Sequence, residues 1–517
     1  MPSPIRNSVS EIARLLWSGN PNSRESGYRI VLLFLCLSVA WPVSTTNAQW
    51  PGFRGGLLRD ATSSEEVGLL QNWPDGGPPL VWKQDRLGDA AGTLAVVDGV
   101  IYTAGSIERR AYLHAWRLSD GEQSWRTEIA GANTVTPTPM VDSGKIYIQL
   151  KGRVHCHDAE DGKPLWSAEV MKLVDGDKTW KDRTHYGSWH GSPIVADGKV
   201  FVVTGHPEGP VIALDQNSGK KLWQCKGQRE AVNRGWSSPI FVRRGSTKLV
   251  IAQTAWHVLG IDADDGTVYW EQQILGPGKN YDVGNALCNI PVYVDGRLFC
   301  ATGYGPVVWT TFDLAADGTS LKKVWNNPAI HPFQESIVCI DGMLVGTGDV
   351  TWEDFDANPD LLVNGKPLRD WPDQKQPPPP DRRHDERKKR TFHFYDREAG
   401  GRERTGLVCQ DLKTGKVLGV RYGFPRIGFS GLMMAVADGR IYGAWSDICD
   451  EVWLIEPTPS MQVRGSFQIP EPDERPADQP LIAIAHGRYS APVVADGKLL
   501  LRVRDQLFAY DIRAPKK

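Results

Sequence analysis

The chain has 517 residues, of which 41% are hydrophobic and 23% charged, and its formal net charge is −2. This near-neutral balance creates no overall field that would attract nucleic acid or an anionic membrane, so neither is predicted as a partner. The 53 Gly and 20 Trp residues favour an all-β protein with many tight turns.

The first 48 residues are predicted to be a signal peptide. Arg24 and Arg29 precede an apolar stretch at residues 30–41, and the small residues up to Ala48 suit cleavage before Gln49. An apolar core of about twelve residues is too short to span a bilayer. We therefore expect residues 49–517 to be exported, to the periplasm or the cell exterior, without a transmembrane span. An uncleaved anchor is the alternative.

A short apolar run, a Gly-centred turn and a second apolar run recur eight times in the remaining chain. In six of these turns an Asp precedes the Gly, and Asp-Gly is typical of the type I′ turn that joins two antiparallel strands. The turn glycines are Gly99, Gly144, Gly198, Gly245, Gly296, Gly342, Gly439 and Gly497.

Each unit continues into a second signature, Asp-x-x-x-Gly-x-x-x-Trp, which is complete in three units, at Asp158 to Trp166, Asp215 to Trp223 and Asp262 to Trp270. A period of roughly 40 to 50 residues that holds four short strands is typical of a propeller blade. We predict an eight-bladed β-propeller of four-stranded blades, with each Trp filling the gap between neighbouring blades.

The last unit lacks a fourth strand. Its third strand, at residues 506–511, ends six residues before the C-terminus, whereas residues 79–83 near the start of the repeats read as a strand without a blade. Pairing these two segments completes the eighth blade and removes the exposed edge of an open ring. The predicted domain is therefore residues 49–517, closed by an N-terminal strand.

An insertion at residues 351–405 interrupts the sixth unit between its second and third strands. It contains four consecutive prolines, at residues 377–380, and nine Lys or Arg against six Asp or Glu over residues 381–404. This composition predicts a solvated, partly disordered loop that is dispensable for folding. A flap that contacts an acidic ligand or partner is the alternative.

An odd number of cysteines follows residue 48, so they cannot all pair. Most lie within strand patterns, where Cys packs as a small hydrophobe. We expect mostly free, buried thiols at Cys156, Cys225, Cys288, Cys300, Cys339, Cys409 and Cys449.

The repeats resemble those of pyrroloquinoline-quinone-type propellers, whose consensus contains Ala-x-Asp-x-x-Thr-Gly-x-x-x-Trp. The runs from Ala213 to Trp223 and from Ile261 to Trp270 carry this resemblance. The opening run WPGFRGGLLRD at residues 50–60 is similar to an exported, quinoprotein-like subfamily of planctomycete bacteria.

This resemblance implies one of two activities. Members of the superfamily include quinoprotein alcohol dehydrogenases and a non-enzymatic propeller lipoprotein of outer-membrane β-barrel assembly. The dehydrogenases place a disulfide between adjacent cysteines against the quinone and hold Ca²⁺ with Glu, Asn and Asp. No two cysteines are adjacent in this sequence, and the catalytic Asp and calcium ligands match no motif in it. Pyrroloquinoline quinone with calcium stays open as a cofactor, and no other metal is predicted.

The residues just before the inner strand of each blade enter the central channel from one face, where propellers gather ligands. His, Arg and Trp are more frequent there than inner-strand packing requires. The candidate binding residues at this channel mouth are His185, Trp189, His190, Arg234, Trp236, Asn289, Glu335, Arg488 and Tyr489.

Two interpretations of this ring of residues stay open. In one, Trp189 and Trp236 stack on a polar or anionic ligand that Arg234 and Arg488 clamp. In the other, the side chains satisfy one another at a solvated channel mouth.

Two functions follow from these patterns. The favoured hypothesis is a monomeric, exported propeller scaffold that binds an envelope protein or a small polar ligand without catalysis. The alternative is a quinone-dependent dehydrogenase of an alcohol or sugar.

Overall fold

The computed structural model describes residues 49–90, 92–132, 135, 137–176, 191–226, 237–254, 257–274, 289–301, 309–327, 329–330, 337–348, 350, 352–367, 395–396, 402–403, 405–424, 432–445, 451–470 and 490–515. The predicted signal peptide lies outside these residues, so its assignment stays a prediction.

Eight four-stranded antiparallel blades form a closed ring, which confirms the predicted propeller. Two strands precede the first blade, β1 (Thr62–Ser63) and β2 (Leu80–Gln84). The strands of blades 1 to 3 are β3–β6 (Ala95–Val97, Val100–Ile107, Arg110–Arg117, Gln123–Glu128), β7–β10 (Met140–Asp142, Lys145–Leu150, Arg153–Asp158, Pro164–Glu169) and β11–β14 (Ile194–Ala196, Lys199–His206, Gly209–Asp215, Lys221–Gln224).

Blades 4 and 5 follow the same order, with the first strand innermost and the fourth outermost. They consist of β15–β18 (Ile240–Arg244, Thr247–Gln253, His257–Asp262, Val268–Gln273) and β19–β22 (Val292–Val294, Arg297–Ala301, Trp309–Leu314, Leu321–Trp325). In the described part of the chain, helix is limited to α1 (Val170–Leu173) and α2 (Trp352–Ala357).

Blades 6 to 8 include the insertion and the chain closure. Blade 6 has β23 (Ile337–Ile340), β24 (Met343–Gly348), β29 (Thr405–Asp411) and β30 (Val417–Phe424), with β25–β28 (Leu362–Val363, Lys366–Pro367, Tyr395–Asp396, Arg402–Glu403) in the insertion. Blade 7 has β31–β34 (Leu432–Ala437, Arg440–Trp445, Glu451–Ile455, Val463–Gln468), and blade 8 has β35–β37 (Val493–Ala495, Lys498–Val503, Gln506–Asp511) together with β2.

The repeat signature is explained by contacts between neighbouring blades. The indole N–H of Trp166, in blade 2, donates to the carbonyl oxygen of Gln216 in blade 3 at 3.1 Å. Gly219, in the next turn of blade 3, has a φ of 69°, and a Cβ there would lie 2.5 Å from the Trp166 ring. The glycine therefore provides both the left-handed turn and the space for the Trp of the preceding blade.

The same contact recurs one blade further on. The indole N–H of Trp223 donates to the Ala263 carbonyl oxygen at 3.3 Å, and its ring lies where a Cβ of Gly266 would be. The predicted position of these Trp residues between blades is confirmed. Because Trp166 and Trp223 each pack against the next blade's glycine, the packing of these blades depends on their neighbours.

The predicted closure of the ring is also confirmed. Strand β2 pairs antiparallel with β37, with Trp82 opposite Ala509, and so supplies the outermost strand of blade 8. The Trp82 indole N–H then donates to the carbonyl oxygen of Leu118 in blade 1 at 3.2 Å. The N- and C-terminal parts of the domain therefore meet within one sheet.

A buried arginine reinforces this closing seam, by which we mean the contact between blades 8 and 1. Arg502, in β36, is 1% exposed. Its guanidinium donates to the carbonyl oxygens of Gly88 (2.8 Å) and Ala104 (2.7 Å) and to the hydroxyl of Thr103. Burial lowers the pKa of Arg502 to about 10, so the group still carries its charge at neutral pH.

The prediction that the whole insertion is a solvated loop is wrong for its first part. Strand β25 adds to the outer edge of blade 6 in parallel with β30. The side chains of Leu361 and Val363 are fully buried in the core beside that blade. The burial of these two apolar residues holds this part of the insertion against the sheet. The overall charge and proline content of the insertion did not indicate that packing. Residues 368–394 lie outside the described part.

Free thiols are confirmed for the five cysteines that the structure describes. Four of them, Cys156, Cys225, Cys300 and Cys409, are buried, and Cys339 is partly buried. Burial raises the pKa of the Cys156, Cys225, Cys339 and Cys409 thiols to about 12, which keeps them protonated and unreactive. Cys288 and Cys449 lie outside the described residues.

We expect Arg502→Ala to lower the free energy of unfolding by about 3 kcal/mol or more, because it leaves buried carbonyl groups without donors. Arg513→Ala is the control. Arg513 forms an exposed ion pair with Asp496, and removing such a pair costs about 1 kcal/mol at most. Urea unfolding of both variants measures the difference, and equal losses would show that the seam does not depend on Arg502.

We expect Leu361→Ala to destabilise the domain by about 2–5 kcal/mol, the range for truncating a buried Leu. Leu165→Ala, at a side chain that is 46% exposed, should change stability by about 0.5 kcal/mol at most. Thermal and urea unfolding test this pair. If the two variants were equally stable, the start of the insertion would be dispensable after all.

Candidate functional site

A series of hydroxyl groups links neighbouring blades at the channel mouth, the end of the central channel where the inner strands begin. The backbone N–H of Thr93 donates to Thr138 Oγ1, that of Thr138 to Ser192 Oγ, and that of Ser192 to Ser238 Oγ, each at 2.9 Å. Blades 1 to 4 are therefore joined in sequence by one repeated hydrogen bond.

The series extends to the blades on either side. Thr93 Oγ1 donates to the Ala491 carbonyl oxygen in blade 8 at 3.1 Å, and Ser237 Oγ donates to that of Asn289 in blade 5 at 3.0 Å. In blades 2 to 4 the hydroxyl residue stands directly before a proline. Proline disfavours helical backbone at the preceding residue, which suits the extended entry into an inner strand.

The chain's own N-terminal segment, residues 50–63, crosses the channel, and we call it the plug. Trp50 exchanges two backbone hydrogen bonds of 2.7 Å with Val96 of blade 1. Pro51 then accepts from Val141 of blade 2 at 2.7 Å, and Leu57 from Phe241 of blade 4 at 2.9 Å. These bonds hold one short segment against inner strands on different sides of the ring.

The plug leaves the channel along blade 7. Ala61 accepts a 2.8 Å hydrogen bond from the backbone of Val436, and β1 pairs in parallel with β31. Trp50 and Ala61 are each 1% exposed. The plug therefore packs as part of the core and not as a surface tail.

Two buried arginines project from the plug toward the channel mouth. Arg59 donates to the carbonyl oxygens of Ser192 (3.1 Å) and Pro193 (2.7 Å), which come just before the inner strand of blade 3. Arg54 donates to the carbonyl oxygen of Ile337, the first residue of β23 in blade 6. The two side chains are 1–2% exposed. Together with its backbone contacts, the plug reaches six blades.

The plug carries these two guanidinium groups and one carboxylate. Asp60 is the neighbouring carboxylate in the plug, and its Oδ1 accepts from the Thr62 backbone at 3.1 Å. Burial raises the pKa of Asp60, although the Thr62 N–H and the Arg54 charge oppose that rise. Two cations and one destabilised anion make the plug residues a favourable neighbourhood for an acidic group.

One of the nine predicted site residues lies in the described part of the chain. Asn289 is 1% exposed, and its carbonyl oxygen accepts from Ser237 Oγ and from Gln253 Nε2, each at 3.0 Å. It therefore belongs to the channel wall. The other eight lie outside the described residues: His185, Trp189, His190, Arg234, Trp236, Glu335, Arg488 and Tyr489.

Sequence reasoning missed Arg54 and Arg59. Both stand in the run at residues 50–60 that was used only for its family resemblance. The available signal was two arginines in a Gly-rich segment that belongs to no repeat, directly after the predicted cleavage site. Because that segment has no strand periodicity, its place in the channel could not be read from the pattern.

The described residues do not fit a quinone with calcium. Among them, no cluster of three or more His, Cys, Asp or Glu side chains is arranged to hold a metal. The described cysteines stand singly in the sequence, whereas the dehydrogenase pattern needs an adjacent pair. The arginines of the plug donate to backbone carbonyl oxygens. We therefore derive no chemical step through such a cofactor.

In the portion of the chain that the structure covers, no helix combines the length and apolar character needed to cross a membrane.

Comparison with known proteins gives two kinds of relative. The chain is 26% identical over 231 residues to the quinohemoprotein alcohol dehydrogenase ADH-IIG of Pseudomonas putida, covering 40% of this chain and 29% of that protein. It is 23% identical over 253 residues to the outer membrane protein assembly factor BamB of Moranella endobia, covering 46% and 58%. The chain thus spans less than two thirds of each.

Solved structures support the fold. The quinohemoprotein alcohol dehydrogenase of Comamonas testosteroni superimposes with a TM-score of 0.58 over 91% of this chain and 81% of that one, at 13% identity. At this identity the likeness concerns the fold alone.

A family model described as outer membrane protein assembly factor BamB matches residues 74–168 and 134–358, which together make up more than half of the 517 residues. The chain therefore belongs to this family of pyrroloquinoline-quinone-like β-propeller repeat proteins.

Proposed function

We propose that this protein is an exported, non-catalytic propeller scaffold that binds an acidic group, of a small polar ligand or of a partner protein, at the channel mouth. The observation that carries the proposal is the plug, whose buried Arg54 and Arg59 reach the carbonyl groups at the start of the inner strands. Because the plug occupies the channel, we expect a ligand to bind at the channel mouth.

The charge of the plug supports an acidic ligand. Two guanidinium groups stand against one carboxylate, Asp60, whose charged form is itself disfavoured by burial. A carboxylate or phosphate brought to the mouth would be attracted by the two guanidinium charges. Arg234 and Arg488, predicted from sequence at the same end, would add further donors.

Trp189 and Trp236 are the proposed stacking surfaces. They precede the inner strands of blades 3 and 4 in sequence, Trp189 two residues before the described Gly191 and Trp236 directly before the described Ser237. Ser237 donates to the channel wall at Asn289. Aromatic side chains at such positions bury a planar or apolar part of a ligand while the arginines hold its charge.

The alternative function is a quinone-dependent dehydrogenase of an alcohol or sugar. Its support is the match to proteins named alcohol dehydrogenases. Against it stand the missing pair of adjacent cysteines in the sequence and the metal-binding clusters lacking from the described residues. Export rests on the predicted signal peptide, and an assembly role on the match to proteins named assembly factors.

Titration with citrate and with inorganic phosphate, followed by isothermal calorimetry, tests the proposed site. We expect saturable binding that Trp189→Ala and Trp236→Ala each weaken by about 1–3 kcal/mol, in line with the loss of a stacking side chain. Arg234→Ala and Arg488→Ala should weaken it similarly, because each removes a charge-assisted hydrogen bond.

Trp166→Ala and Trp223→Ala are the matched controls. These two indoles lie between blades and donate to the next blade. They should lower the melting temperature more than the mouth variants do and leave the affinity unchanged. If all four Trp variants lost stability alike and none altered binding, the mouth would be ordinary packing.

An absorbance scan after adding pyrroloquinoline quinone and Ca²⁺, followed by a dye-linked assay of alcohol oxidation, separates the two functions. We expect neither a bound-quinone spectrum nor turnover. Quinone-dependent oxidation at a 1:1 ratio of quinone to protein would replace the scaffold proposal with the dehydrogenase.

A further inference from the structure

Residues 64–79 join the plug to β2 and cross the gap between blades 7 and 8, and we call them the strap. The backbone N–H of Trp73 donates to the carbonyl oxygen of Arg464 in blade 7 at 2.9 Å. That of Leu70 donates to the carbonyl oxygen of Ile512, directly after the last strand of blade 8, at 2.7 Å. The strap itself forms no strand, so separate hydrogen bonds and not a continuous ladder hold it on the two blades.

Trp73 occupies the place of a tryptophan that blade 7 lacks. In blades 2 and 3 the residue that follows the bulge of the outermost strand is Trp166 or Trp223. In blade 7 the residue after that bulge, in β34, is Gly465. A Cβ at Gly465 would lie 2.5 Å from the Cβ of Trp73, so the glycine makes room for a Trp that comes from the strap.

The hydrogen bonds around this Trp differ from those in another gap. In blade 1, Trp125 and Tyr102 both donate to the carbonyl oxygen of Ala159 in blade 2, each at 3.3 Å. The equivalent carbonyl in blade 8 is that of Ile512, because Ala159 and Ile512 each donate their own backbone N–H to the glycine of the first turn in their blade. Leu70 already donates to the Ile512 carbonyl oxygen. The Trp and the Tyr between blades 7 and 8 therefore lack the acceptor that their counterparts use.

Four buried polar groups in the gap have no hydrogen-bond partner among the described residues: the indole N–H of Trp73, the hydroxyls of Tyr442 and Tyr510, and Oε1 of Glu66. Each of these residues is at most 7% exposed. The ring centres of Trp73 and Tyr442 lie 6.1 Å apart. An unpaired polar group destabilises the state that buries it, because water would satisfy it. The closed gap between blades 7 and 8 is therefore less stable than a gap whose polar groups are paired.

Glu66 fixes the strap to the first turn of blade 8, where its Oε2 accepts from the backbone of Gly497 at 2.9 Å. Burial raises the pKa of Glu66, and the charge of Asp496 adds to the rise, while hydrogen bonds from the turn backbone and the charge of Arg513 oppose it. Asp496 is itself paired with Arg513 (2.9 Å) and Lys498 (3.3 Å). The closed strap therefore binds a proton at Glu66 more tightly than an open, hydrated strap would.

The blade 7 side of the gap presents Tyr442, Asp438 and Arg440. Burial raises the pKa of Tyr442, and the charges of Asp438 and Glu66 add to the rise, so this hydroxyl stays protonated. Of the unpaired groups, Glu66 is the one whose charge responds to acid. Its proton stabilises the closed strap fully below the ordinary pKa of a glutamate, and this stabilisation is lost as the pH rises through the raised value.

We infer that the strap opens the gap between blades 7 and 8 without unfolding the ring, and that ionisation of Glu66 favours this opening. Opening brings the four unpaired groups into contact with water. Strand β2 and Arg502 still hold blade 8 to blade 1, so the ring keeps its closing seam. The strap is then a pH-sensitive element of the fold, and it is independent of the function proposed for the channel mouth.

Hydrogen–deuterium exchange of the purified protein, read by mass spectrometry between about pH 5 and about pH 8, tests the inference. Protection factors are compared, because they remove the intrinsic pH dependence of amide exchange. We expect peptides from the strap to be less protected than those from β36 and β37, and their protection to fall as the pH rises. Equal protection of the two sets, or strap protection that does not depend on pH, would overturn the inference.

Glu66→Gln removes the ionisable group but keeps an oxygen for the Gly497 N–H, so the strap should lose its pH dependence. Glu65→Gln is the matched control, since Glu65 is the exposed neighbour and its replacement should leave the pH dependence intact. If both variants kept the same pH dependence, Glu66 would not control the opening and the inference would be wrong.

Tyr442→Phe removes an unpaired hydroxyl and should raise the protection of the strap about fivefold. Tyr102→Phe is its control, since it removes a hydroxyl that has an acceptor, and it should lower the protection of the peptide that contains Ala159. A loss of strap protection in Tyr442→Phe would mean that this hydroxyl has a partner in the closed gap, which contradicts the inference.

Discussion

Closure of the ring by strand β2 is the constraint on which the rest of the structure depends. A blade buries its two faces against its two neighbours. A ring without β2 would expose an open edge in blade 8 and would lose the contact that Trp82 makes with blade 1. Arg502 secures the same seam from within. Because β2 comes from the N-terminal part of the domain, the segment before it is held close to the ring, and that segment is the plug.

The path of the plug follows from this closure. Residues 50–63 run across the channel before the chain reaches β2, and they bring Arg54 and Arg59 to the mouth. Strand β2 then meets blade 1 at the closing seam.

How far sequence reasoning reached depended on whether a residue belonged to a repeat. Trp166 and Trp223 could be assigned between blades because the same spacing recurs, and spacing reflects the geometry of a blade. The burial of Leu361 and Val363 could not be predicted, because two apolar residues in a charged segment form no periodic pattern. At the mouth, Asn289 was placed at the correct end of an inner strand, whereas Arg54 and Arg59 were missed.

The all-β class, the eight blades, the strand that closes the ring and the position of the Trp residues between blades could all be predicted from the sequence. The blades and the Trp residues repeat at a regular spacing, and local periodicity records which face of each strand is buried. The closing strand could be identified because the last unit lacks a fourth strand. Only the tertiary structure decided the path of the plug, the packing of residues 361–363 and the meeting of Arg502 with Gly88. Each of these three features is a contact between residues that are far apart in the chain. Such contacts form only when the ring has closed and brought the residues together.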